Sequence, residues 1–138
     1  MTQRLQSIMI IDDFEPDIIY ATIMLEQSKK WDKVLAARSA REALDMFEAY
    51  ERDRDAAEEG FPPLAILLDI NMPGMNGFDF LKEFEEKYDH IDTTVVFMLS
   101  SSESDTDINK ARSFKTVKSF ITKPLSIDMA VSIAEELA

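Results

Sequence analysis

The 138 residues suffice for one domain with a proper core and are too few for two, and an apolar content of 46% is ordinary for a globular chain. A net charge of −12 sets up a field that repels phosphate backbones and argues against nucleic acid as a partner. The absence of cysteine and the single histidine exclude disulfides, thiolate chemistry and multi-histidine metal sites; no apolar run is long enough for a membrane span and Met1–Leu5 is not a signal peptide, so a cytoplasmic location is expected.

Ser7-Ile8-Met9-Ile10-Ile11 reads as a buried strand that ends in the acid pair Asp12-Asp13. Two adjacent carboxylates there are unfavourable unless a positive charge lies nearby. Pro16 suits the first turn of the next helix, with Ile18, Ile19, Ile23, Met24 and Leu25 as its buried stripe. Trp31, beside Lys29 and Lys30, reads as a partly covered lid on the sheet edge. Lys33 to Ala37 is a short second strand. Ser39-Ala40-Arg41-Glu42 has the capping-box spacing for a helix through Ala43, Leu44, Met46, Phe47 and Tyr50. Glu51 to Gly60 is charged and aperiodic, a fraying helix end followed by a solvated loop.

Leu64-Ala65-Ile66-Leu67-Leu68 shows no polar alternation, as expected of a strand buried on both faces. Asp69 closes it, and Asn71, Pro73, Gly74, Asn76 and Gly77 force an immediate turn. Asn76 or Gly77 can cap a helix carrying Phe78, Phe80, Leu81 and Phe84. His90 is a surface loop residue. Val95 to Leu99 is a fourth strand, ending in Ser100-Ser101-Ser102. Ser104 can cap a helix from Asp105 to about Phe114, with Ile108 and Ala111 inward. Ser119 to Thr122 is the last strand, closed by Lys123-Pro124. Ser126 can cap a final helix with Ile127, Met129, Ala130, Ile133 and Leu137 as apolar positions. Strand and helix alternate throughout, the pattern of a parallel sheet covered on both faces.

Four strands thus end in a polar group: Asp12-Asp13, Asp69, Ser100 and Lys123. In a parallel sheet these ends share one edge, where open α/β sheets place their chemistry. Three carboxylates facing one ammonium leave excess negative charge, and oxygen-only donors favour Mg²⁺ as the neutralising ion. A cation would admit an anionic phosphoryl group, and Asp69 is a chemically competent acceptor. Lys123 would hold transferring oxygens electrostatically.

From about Ser7 to Ala138 the chain resembles a receiver domain of the two-component response-regulator family. The matching pieces are Ile10-Ile11-Asp12-Asp13, the run from Leu68 to Gly77, Leu99-Ser100-Ser101 and Thr122-Lys123-Pro124. The resemblance implies a flavodoxin-like doubly wound (βα)5 fold with sheet order 2-1-3-4-5. It implies Asp69 as phosphoacceptor and Asp13, Asp69 and the Asn71 carbonyl as Mg²⁺ ligands, with Asp12 helping to hold the ion, often through water. Lys123 matches the phosphoryl-pairing lysine, Ser100 the switch hydroxyl and Phe120 the switch aromatic. A cis Lys123–Pro124 bond is also implied. The phosphoryl donor would be a sensor histidine kinase or histidine phosphotransfer protein, with self-pairing into a homodimer open.

The chain departs from the family pattern in three places. Ser stands where Thr is commoner, Phe120 lacks the hydroxyl of the frequent Tyr, and Phe114 to Lys118 lacks the usual Gly-Ala. A register one residue later would make Ser101 the switch; Ser100 is preferred. No output domain is expected, so the receiver would signal alone through a partner-binding surface. An Asp-nucleophile phosphatase is disfavoured because Asn71 stands where it needs a second Asp. An FMN-binding flavodoxin is disfavoured because Asp12-Asp13 would repel its phosphate. A phosphorylation-independent adaptor remains as the alternative, though the intact acids, Ser and Lys speak against it.

Overall fold

The computed structural model describes residues 4–138; residues 1–3, and with them part of the start read above as no signal peptide, lie outside the described residues. The strands are β1 (Leu5–Ile11), β2 (Trp31–Ala37), β3 (Ala65–Leu68), β4 (Val95–Ser100) and β5 (Val117–Thr122). The helices are α1 (Glu15–Ser28), α2 (Ala40–Arg52), α3 (Gly77–Lys87), α4 (Asp105–Arg112) and α5 (Ile127–Leu137), with a 3-10 turn at Arg54–Ala56. All strands pair in parallel in the order β2-β1-β3-β4-β5. This is the flavodoxin-like order expected from the resemblance.

Side chains of a strand alternate between faces, and the core divides accordingly. Met9, Ile11, Ile66, Leu68 and Met98 meet Leu44 and Phe47 of α2, Phe80 and Phe84 of α3 and Ala111 of α4. Ile8, Ile10, Leu67, Phe97 and Leu99 meet Ile18 and Leu25 of α1 and Ala130 and Ile133 of α5. Phe47 anchors the first cluster, edge-on to Phe61 and Phe84 with both ring centroids at 4.9 Å. Truncating such a fully buried ring costs about 3–5 kcal/mol. Among the described residues, no helix is long and apolar enough to cross a membrane.

The helix starts follow local chemistry. Asn76 is the cap of α3: its side chain accepts from Asp79 N–H (2.9 Å) and the Asp79 carboxylate accepts from Asn76 N–H (3.0 Å). This reciprocal pair satisfies two otherwise orphaned donors. Ser39 accepts from Glu42 N–H, but the Glu42 carboxylate reaches one residue further back to Arg38 N–H, so that box is not reciprocal. Ser104 and Ser126 cap α4 and α5 as expected.

Several expectations need correction. Ile19 and Ile23 are 52% and 41% exposed, and the buried face of α1 is Ile18, Ala21, Leu25 and Ser28. Apolar residues surround that helix, so its pattern carries little phase. Of the apolar positions named for α5, Ala130 and Ile133 are buried with Ala134, while Ile127 and Met129 are exposed. Trp31 is no lid: at 4% exposure it is core, and among the described residues its indole N–H has no hydrogen-bond partner. It belongs to β2, which starts earlier than Lys33 because Trp31 pairs with Leu5. Similarly β5 begins at Val117, paired with Val96.

Candidate functional site

The strand register assembles the acids. Ile11 and Leu68 are partners, so the next residues, Asp12 and Asp69, leave neighbouring strands side by side. Asp12 N–H donates to the Ala37 carbonyl (3.1 Å) and Asp69 N–H to that of Ile11 (3.0 Å), extending the ladder one step beyond the strands. Asp12 and Asp69 are buried and Asp13 is exposed, as alternation requires. Even so, Asp12, Asp13 and Asp69 can each offer a carboxylate oxygen within 4.8 Å of the other two. The fold therefore brings all three together.

Lys123, just past β5, closes the group. Its ammonium donates to Asp12 Oδ2 (2.8 Å) and Asp17 Oδ2 (2.8 Å) and stands 3.6 Å from Asp69 Oδ1. Asp12 uses its other oxygen to accept from Phe14 N–H at 3.0 Å. Asp17, in the first turn of α1, went unrecognised in the sequence. Its only local signal is an acid at a helix start, which the helix dipole explains equally well.

Burial is the largest influence on Asp69 and pushes its carboxyl up to about 6; Lys123 pulls it down, while Asp12 and Asp13 add to the rise. Burial works against the Lys123 charge, but its hydrogen bonds to Asp12 and Asp17 and the nearby Asp69 outweigh it, holding the ammonium above the usual lysine range. Three carboxylates, Asp12, Asp17 and Asp69, thus converge on one ammonium, with Asp13 beside Asp12 and Asp69.

Ser100 is the last residue of β4 and fully buried, whereas Ser101 is exposed. Ser100 Oγ accepts from Ser102 N–H (3.2 Å), and its carbonyl accepts from Lys123 N–H (2.9 Å). Ser102, not singled out in the sequence, donates its hydroxyl to Asp107 of α4 at 2.7 Å. Asn71 lies exposed in the loop after Asp69. Phe120 stands apart from the acids: it is half-buried, pairs with Met98 and lines a groove of about 290 Å³ with Ile108, Ala111 and Arg112. The Lys123–Pro124 bond is cis, as the resemblance implied.

Residues 8–135 match the family described as response regulator receiver domain. The chain belongs to that family. A two-component response regulator from Legionella pneumophila is similar to this receiver domain at 30% identity and a TM-score of 0.78, over 95% of this chain and 96% of that one. A two-component response regulator from Cytophaga hutchinsonii shares the fold, with 24% identity, a TM-score of 0.84 and 97% of each chain covered. Aerobic respiration control sensor protein ArcB of Escherichia coli (strain K12) is 28% identical over 96 residues. That match takes in 70% of this chain, which spans 11% of the length of that relative.

Receiver domains are signalling domains of two-component systems that receive phosphoryl groups from histidine kinases and bind Mg²⁺ at an acidic pocket. This receiver's donor set fits such an ion: clustered oxygen donors, no sulfur, and more negative charge than Lys123 balances.

Proposed function

We propose that the receiver unit, residues 7–138, accepts a phosphoryl group on Asp69 from a phosphohistidine of a histidine kinase or phosphotransfer protein. The observation that carries this reading is the buried Asp69 carboxylate at the central strand's end, clustered with Asp12 and Asp13 and 3.6 Å from Lys123. An Asp69 carboxylate oxygen bonds to phosphorus as the P–N bond to the donor imidazole breaks, leaving an aspartyl phosphate and a neutral histidine. Asp13, Asp69 and the Asn71 carbonyl would hold Mg²⁺, with Asp12 helping. The ion, when bound, supplies the positive charge that lets an anionic phosphoryl group approach.

The chain's own residues do the rest. Lys123 positions the transferred oxygens electrostatically. Phosphorylation adds about −1.5 to −2 units of charge and three acceptor oxygens. The Ser100 hydroxyl then turns towards one of them, giving up its contact with Ser102 N–H, and draws the loop after β4 inward. Phe120 turns into the space vacated, and a partner reads the changed surface of α4, β5 and α5. Phe14, Ile19, Tyr20 and Ile23 are exposed at and just before α1, the helix that follows Asp12 and Asp13, and support this face as the place where the donor docks.

Intact mass after incubation with Mg²⁺ and acetyl phosphate tests the reading. One phosphoryl adduct is expected, lost with chelator and lost in Asp69→Asn. An undiminished adduct in that variant overturns the assignment, and no adduct on the wild-type chain favours the adaptor alternative.

A further inference from the structure

The Lys123 ammonium has three protons to donate, and two of them go to Asp12 and Asp17 at 2.8 Å. Asp69, at 3.6 Å, is beyond hydrogen-bond distance. The lysine is therefore held towards α1, one contact short of the residue it is proposed to serve. Asp17 does this from a fixed platform: Pro16 precedes it in the first turn, and its own N–H donates to the Phe14 carbonyl at 3.0 Å. An acid at that position would complement the helix dipole with its carboxylate in water. Here it reaches instead across to the loop that follows β5.

The three acids around Lys123 differ in solvation. The side chains of Asp12 and Asp69 are 3% and 9% exposed, but that of Asp17 is 39% exposed. Asp17 and Lys123 share a cleft of about 300 Å³ with Pro16, Tyr20, Leu99 and Pro124. If the ammonium leaves, water in that cleft can solvate the Asp17 carboxylate, whereas Asp12 would be left buried and unpaired. Asp17 is thus the partner released at least cost.

We propose that Asp17 is a positioning residue that competes with the phosphoryl group for Lys123. It keeps the ammonium off Asp69 in the resting protein and weakens the phosphorylated state by the strength of one ion-paired hydrogen bond. This rests on Asp69 being the acceptor. Removing the charge with Asp17→Asn releases Lys123 to the incoming oxygens and stabilises the loaded state.

Titration with beryllofluoride at fixed Mg²⁺, followed by amide NMR shifts, tests this on wild type, Asp17→Asn, Lys123→Gln and the double variant. Asp17→Asn is expected to bind the mimic about five-fold more tightly, the value of one partly solvated charged hydrogen bond. In the Lys123→Gln background the same substitution is expected to change affinity less than two-fold, because Asp17 acts through the lysine. Equal or weaker binding in Asp17→Asn overturns the proposal, as does a five-fold gain that survives Lys123→Gln. Should Asp17→Asn fail to fold, Asp17→Ser keeps a short polar side chain at the helix start and is read by the same two outcomes. No binding by wild type, or undiminished binding by Asp69→Asn, instead refutes Asp69 as acceptor.

Discussion

Gly77 lies with its bare Cα against the backbone of Asp69. A Cβ there would collide with the Asp69 carbonyl oxygen and come within 3.0 Å of Ile70 Cα. Gly77 N–H also donates to the Ile70 carbonyl at 2.9 Å, so α3 starts directly on the loop that leaves the central strand. Ala in place of Gly ordinarily stabilises a helix by about 0.5–1 kcal/mol. Here the sign should reverse, because the obstructing atoms are backbone and cannot rotate away. Gly77→Ala is expected to lose about 1–3 kcal/mol in urea melts and to weaken Mg²⁺ binding by displacing Asp69. A variant as stable as wild type would mean the loop is freer than its packing indicates.

Asp69 makes the stability of the metal-free protein depend on pH. Its folded carboxyl is raised to about 6 from the ordinary 3.8, chiefly by burial. A raised value means the folded state binds the proton more tightly. Its contribution is full below about 3.8 and lost as pH rises through about 6. Wild type is expected to lose about 2–3 kcal/mol relative to Asp69→Asn between pH 4 and pH 8. Asp69→Asn should accordingly be the more stable protein at pH 8, and Mg²⁺ should narrow the gap. Parallel urea midpoints for the two proteins across that range would contradict this.

Asp13→Ala is expected to weaken Mg²⁺ binding more than Asp12→Ala, and Asp12→Ala to lose more stability. Asp12 is buried and bonded to Phe14 N–H and Lys123, so its removal leaves two donors short of a partner. Asp13 is exposed with its carboxylate at the cluster. Calorimetry is the suitable measurement. Trp31 opens β2 whereas the acids lie past the other end of the sheet, roughly 20 Å along the strand, so its fluorescence is a poor reporter. The reverse ranking in metal affinity would interchange the roles of the two acids.

Amide exchange with beryllofluoride bound should change protection near Asp105–Phe114, Lys118–Thr122 and Ser126–Ile133. The groove beside Phe120 gives that ring room to move, and Ser102 links the β4 loop to Asp107 of α4. Changes confined to the loops around Asp13 and Asp69 would remove Ser100 and Phe120 from the switch.

Much of the fold was legible because its determinants are local. The uninterrupted run Ala65–Leu68 declares a strand covered on both faces, and all four of its residues are buried. Asn76 and Ser126 announce helix starts through side chains that reach only three residues ahead. Asp12, Asp13, Asp69 and Lys123 were legible as a group because each follows a strand, and parallel pairing sends every strand's end to one edge. What the tertiary structure alone decided is who faces whom. Asp17 and Lys123 lie 106 positions apart, and no local pattern distinguishes this acid from one that merely complements a helix dipole. Ile19 and Ile23 face solvent while Ala21 faces the sheet, since in a helix apolar nearly all round the phase is set by what packs against it. Trp31 is core because its pairing with Leu5 extends β2, a non-local event that its lysine neighbours conceal.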